Sequence, residues 1–201
     1  MKKTNSEEKA VKIFNKNKGI LTTSQVLEKG IHRRTLYKLR DEGKIVKIAR
    51  GLYRLADMPE LSSPDLVTVA LKIPKGVICL ISALSFHEIT THIPHKVNIA
   101  LRRGTITPRL KYPPIDVVRF SGKAFDTDIE KHEVDGVQIN IYSVAKTIAD
   151  CFKFRNKIGL DVALEALKLA LSRKKTSPKD IFRCARICGV EKIIRPYMEA
   201  I

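Results

Sequence analysis

Several groups of side chains in this sequence have types and spacings that could do chemistry. Arg33, Arg34, Tyr37 and Lys38 lie in the run from Gly30 to Gly43. Cations with one aromatic on a short helix can bond base edges and phosphates, on a rod that fits a major groove. His87-x4-His92-x2-His95 offers imidazoles at a spacing that could bind zinc, but only Glu88 stands by to close the set. Cys184-x3-Cys188 puts two thiols on one helical face with no second pair, which favours core packing over a metal. Asp116, Glu130, Lys131 and Glu133 on β-type runs supply what a Mg²⁺-dependent nuclease would need, yet nothing fixes their convergence. No Gly-rich phosphate loop is present, and Ser82 and Ser143 read as helix caps without a Gly-x-Ser-x-Gly elbow. No cofactor or metal is expected.

The first of these groups has the elements to position it. Leu36 and Leu39, with Ile31 ahead, give the helix between the glycines an apolar back, which leaves His32, Arg33, Arg34, Tyr37, Lys38 and Arg40 toward water. Ahead of it, Ser6-Glu7-Glu8 reads as a helix start with acids in the first turn. Ala10, Ile13 and Phe14 form its core stripe. Thr22-Thr23-Ser24-Gln25 fits a capping box for a second helix that Gly30 closes. After Gly43, the runs 44–48 and 52–55 flank Ala49-Arg50-Gly51 and predict a hairpin. Three helices and a hairpin make a winged helix-turn-helix. Lys47, Arg50 and Arg54 would lie on the wet side of the wing, and with Thr22, Thr23 and Arg40 would hold phosphates.

Charge points the same way. The 201 residues carry 38 Lys and Arg against 21 Asp and Glu, a formal net charge of +17. Residues 1–57 hold 15 basic and 6 acidic side chains, hence +9, and residues 58–201 hold 23 and 15, hence +8 over a much longer stretch. A surplus so placed suits a polyanion bound through phosphate contacts and counterion release. No run approaches the ~20 apolar residues of a membrane span. No apolar h-region follows Met1-Lys2-Lys3, so a cytoplasmic protein with reduced cysteines and no membrane partner is the expectation.

The run Gly30-Ile31-His32-Arg33-Arg34-Thr35-Leu36-Tyr37-Lys38-Leu39, with Gly43 and Ala49-Arg50-Gly51-Leu52-Tyr53-Arg54-Leu55 after it, resembles the N-terminal domain of the AbiEi antitoxins. These belong to abortive-infection type E toxin–antitoxin systems, described as type IV. The likeness extends through Ile81-Ser82-Ala83-Leu84-Ser85-Phe86-His87 and Ser143-Val144-Ala145-Lys146-Thr147-Ile148-Ala149-Asp150-Cys151. His32 is a departure, because relatives often have Ser or Thr there. His caps less well, so His32 is read as a DNA contact instead. The resemblance implies a repressor of its own operon at inverted repeats in double-stranded operator DNA; the apolar late helices suit either the core or self-association on DNA. It also implies that the second domain counters a toxin with a nucleotidyltransferase fold.

Residues 56–64 form a polar, Pro-containing joint, so the domains are expected at 1–57 and 58–201. Pro64 opens a helix, Val77-Ile78-Cys79-Leu80 suits a strand, and Ser82 suits the cap of a helix with Ala83, Leu84 and Phe86. Alternating runs follow, with Asp135-Gly136 as a hairpin turn. Ser143 and Ser177-Pro178 open helices in an apolar C-terminal cluster. The fold class is therefore α+β: a winged helix-turn-helix, then a larger mixed α/β domain ending in helices. Arg102, Arg103, Arg109 and Lys111 form a second basic loop that could reach phosphate or an acidic partner. The competing functions are a nuclease or nucleic-acid-modifying enzyme with a winged-helix targeting domain, and a protein-binding adaptor.

Overall fold

In a computed structural model that describes residues 2–200, with side chains from Ser6, the chain forms two compact units. The first comprises residues 1–72 with 133–137, and the second residues 73–132 with 138–201.

The first unit runs α1 (Lys2–Lys16), β1 (Ile20–Thr22), α2 (Thr23–Glu28), α3 (Arg33–Asp41), β2 (Ile45–Ala49), β3 (Leu52–Leu55) and α4 (Pro64–Lys72). Its antiparallel sheet has the order β1-β3-β2. Two features depart from expectation. The helix begins at Lys2, so Glu7 sits beyond the first turn, where the dipole would not explain it. β1 is an unforeseen strand, because three residues are too short to show a period. The core takes Ala10 and Phe14 from α1, Val26 from α2, Leu36 and Leu39 from α3, and Ile45, Tyr53 and Leu55 from the wing. Leu36 and Leu39 are fully buried. Truncating either to Ala would cost about 2–5 kcal/mol.

Local chemistry fixes the joints of this unit. Gln25 N–H donates to Thr22 Oγ1 at 3.3 Å, and Thr22 N–H donates to Gln25 Oε1 at 2.8 Å, which completes the capping box. At the wing turn Gly51 has φ +67°, and a Cβ there would lie 3.1 Å from Thr23 Oγ1 and 3.3 Å from Lys72 Nζ. Its carbonyl accepts from Thr23 N–H and from Lys72 Nζ, both at 3.0 Å. Only glycine meets the backbone and the space together.

The second unit holds β4 (Val77–Ile78), α5 (Leu80–Phe86), β5 (Val97–Arg102), β6 (Ile115–Phe120), α6 (Lys123–Asp126), β7 (Ile129–Val134), β8 (Val137–Tyr142), α7 (Val144–Lys153), α8 (Arg155–Ile158), α9 (Leu160–Ser172), α10 (Pro178–Cys188) and α11 (Glu191–Glu199). The tip of the β7–β8 hairpin is the segment counted in the first unit. The mixed sheet has the order β6-β5-β4-β8-β7. Asp135 and Gly136 turn the hairpin with φ +50° and +77°, as a type I′ turn requires. Ser143 caps α7 through Lys146 N–H at 3.2 Å, and Ser177 caps α10 through Asp180 N–H at 3.1 Å.

Ser82 is not a cap. α5 starts two residues earlier, at Leu80, with Cys79 in the N-cap position and no side-chain cap. The Ser82 hydroxyl instead donates to Lys96 O at 3.2 Å and accepts from Asn98 N–H at 2.9 Å, which ties α5 to the start of β5. The core gathers Leu80, Leu84, Ile148, Phe152, Ala163, Leu167, Ile181 and Ile194 from the helices around the sheet. The fold is α+β, a winged helix-turn-helix followed by a larger mixed α/β part that ends in helices.

Candidate nucleic-acid interface

α3 follows α2 through a tight turn in which Ile31 N–H donates to Val26 O at 3.0 Å. His32 caps it after all: Nδ1 accepts from Arg34 N–H at 3.2 Å. An imidazole accepting at Nδ1 carries its proton on Nε2, so the exposed ring still offers a donor. Arg33 and Arg34, in the first turn, are exposed and have no ion-pair partner among the described residues. Tyr37, 43% exposed, lies one turn on. Lys47 and Arg50 of the wing are exposed and likewise lack such a partner.

Other residues expected at this face are committed elsewhere. Thr22 is buried and its hydroxyl serves the capping box, so the phosphate role expected for it does not stand. Thr23 is half-buried against the wing turn. Arg54 does not lie free on the wet side. Its guanidinium folds back to donate to Met58 O at 3.0 Å and to Pro59 O. Arg40 pairs with Asp41 at 2.7 Å, and its guanidinium lies 5.2 Å from the Tyr37 ring centre.

Lys38 pairs with Glu7 of α1 and, at 3.3 Å, with Glu42. Lys44, which the sequence reading passed over, pairs with the same two carboxylates at 2.9 Å each. Hydrogen bonds from Lys38 and then Lys44 hold the Glu7 carboxyl down to about 2. Both lysines are raised in return, Lys38 chiefly by Glu7 and Lys44 chiefly by Glu42.

The remaining candidates lie apart from one another and have partners of their own. Asp116 lies on β6 and accepts from Lys157 at 2.8 Å, while Glu130 lies on β7 beside His132 at 2.9 Å. β6 and β7 are opposite edges of the sheet, so these carboxylates are held apart. Glu133 pairs with Lys18 at 2.6 Å. His87 Nε2 is 2.7 Å from Tyr142 O, and burial lowers the pKa of that ring. His92 is 3.9 Å from Glu165, and His95 is exposed. Among the described residues no group of three His, Cys, Asp or Glu is placed to hold a metal. Cys184 and Cys188 are buried and donate to Asp128 and Asp150, at 3.2 and 3.4 Å. In the basic loop Arg102 is spent on Asp126 and on the face of Phe125, while Arg103, Arg109 and Lys111 are exposed.

The exposed arginines at the start of α3, beside a basic wing, belong to a segment with known counterparts. Residues 8–56 match the AbiEi_4 family model, described as a transcriptional regulator, AbiEi antitoxin. This segment is AbiEi-like. It contains α2, α3 and the whole wing, together with most of α1. No curated protein matches the chain. Among solved structures the chain is similar to the crystal structure of the RV2827C protein from Mycobacterium tuberculosis. The TM-score is 0.59 over 90% of this chain and 71% of that one, at 15% identity, a likeness of fold. No helix among the described residues is long and apolar enough to cross a membrane.

Proposed function

We propose that the chain is a DNA-binding repressor and antitoxin of a type IV toxin–antitoxin system, with residues 1–57 as the DNA-binding domain and 58–201 as the antitoxin domain. The observation that carries this reading is the pair Arg33 and Arg34, exposed and without an ion-pair partner among the described residues, on the first turn of an AbiEi-like third helix. An Arg there donates in parallel to guanine O6 and N7 in the major groove. Tyr37 and the His32 Nε2–H reach adjacent base edges or phosphates. Lys47 and Arg50 meet the backbone beside the groove and fix the register.

Each copy reads one half-site, so inverted repeats bring two copies together on the operator. The larger part counters a nucleotidyltransferase-like toxin from the same operon. The chain itself performs no catalytic step. Nuclease protection on the DNA upstream of its own gene tests the repressor role, with protection of an inverted repeat expected. Coexpression with the adjacent gene tests the antitoxin role, with rescue of growth expected. Uniform protection without a preferred site, or a harmless neighbour, contradicts the respective half of the proposal.

A further inference from the structure

Glu7, Lys38, Glu42 and Lys44 close a ring. Lys38 bonds Glu7 and lies 3.3 Å from Glu42, and Lys44 lies 2.9 Å from each carboxylate. Two ammoniums face two carboxylates, so the ring carries no formal net charge. It joins α1, the end of α3 and the start of the wing. The Glu7 side chain is only 11% exposed, whereas those of Lys38 and Lys44 are 46% and 47% exposed. A single exposed pair exchanges freely with solvent and would not keep a lysine from phosphate. Here each lysine is shared by two carboxylates, one of them largely buried and fixed on another helix.

We propose that Glu7 is a positioning residue of the DNA face: it withholds Lys38 and Lys44 from phosphate and confines DNA contacts to the first turn of α3, Tyr37 and the wing. This rests on the DNA-binding reading above. The charge pattern of α3 carries it, because the cations without an ion-pair partner among the described residues stand at one end and the neutralised ones at the other. Had Lys38 been left free, the helix would attract phosphate along its whole length and bind any duplex more tightly. Sequence preference would then fall, since phosphate contacts carry no base information.

Fluorescence anisotropy of the full chain on a random duplex, titrated at several salt concentrations, tests this. Glu7→Gln removes the charge at nearly constant volume. Its log–log salt slope should steepen by roughly 0.9 to 1.8, the release expected for one or two added phosphate contacts, with severalfold tighter binding. Lys38→Met, which leaves Lys44 on Glu7, should keep the wild-type slope. A folded Glu7→Gln protein with the wild-type slope overturns the proposal. So does a Lys38→Met slope shallower by about 0.9, which would place Lys38 on a phosphate. If Glu7→Gln fails to fold, Lys38→Met decides alone. Absence of salt-sensitive binding by the wild type would instead refute the DNA-binding reading itself.

Discussion

The Lys146 ammonium lies 2.5 Å from the Asp150 carboxylate, and neither side chain has exposed surface. The two are one turn apart on α7, and the ammonium also sits 4.0 Å and 4.4 Å from the ring centres of Tyr142 and Phe120. Burial pushes Asp150 upward, and Lys146 and the Cys188 thiol pull it back. Removing one partner strands a charge in an apolar core. Lys146→Met alone should cost about 3–5 kcal/mol in urea unfolding, while Lys146→Met with Asp150→Leu should recover most of it. A double variant as unstable as the sum of its singles would contradict a charge-pair account.

The wing separates contact from support. Lys47→Ala and Arg50→Ala should each flatten the salt slope of DNA binding by about 0.9, equally on all sequences. Arg54→Ala should leave the slope alone and lower stability by about 1 kcal/mol, because its guanidinium serves the Met58 and Pro59 carbonyls. Parallel salt titrations and thermal melts distinguish the two, and a slope change for Arg54→Ala would return it to the DNA face.

The second helix depends on its cap. Thr22→Ala should lose about 1 kcal/mol, since Gln25 N–H loses its side-chain acceptor while the backbone bond from Thr22 N–H to Gln25 Oε1 stays available. The buried hydroxyl makes any loss of DNA affinity follow stability alone. Denaturant titration beside DNA titration at low temperature checks this.

Acid should act on the first unit through Glu7. Its carboxyl is lowered from 4.5 to about 2 by Lys38 and Lys44, so between those values the unfolded chain takes up the proton first. The stabilisation is therefore complete above pH 4.5 and fades as pH falls toward 2. The melting-temperature gap between wild type and Glu7→Gln should narrow over that window. A gap constant from neutral pH to pH 2 would show that the ring adds nothing electrostatic.

What the sequence made legible was local. The Thr22–Gln25 box, Pro64, Ser143, Ser177-Pro178 and Asp135-Gly136 each act through neighbours within a few residues, and each holds the expected joint. The exposed side of Arg33, Arg34 and Tyr37 was legible too, because Leu36 and Leu39 fix the helix's rotation. Several of the misses depend on partners distant in sequence. β1 exists because β3 pairs with it, with Ile20 opposite Arg54 and Thr22 opposite Leu52. Ser82 turns to Asn98, and Glu7 to lysines more than 30 positions on, whereas Arg54 turns to the carbonyls of Met58 and Pro59 only four and five residues away. No period or capping rule encodes such pairings.

The most direct test of the central claim is anisotropy of the full chain on its own upstream DNA, for wild type and for Arg33→Ala with Arg34→Ala. The account predicts tight, salt-dependent binding by the wild type. The double variant should lose operator preference and have a slope shallower by about 1 to 2, with an unchanged melt. Equal affinity and slope for the two folded proteins would contradict it.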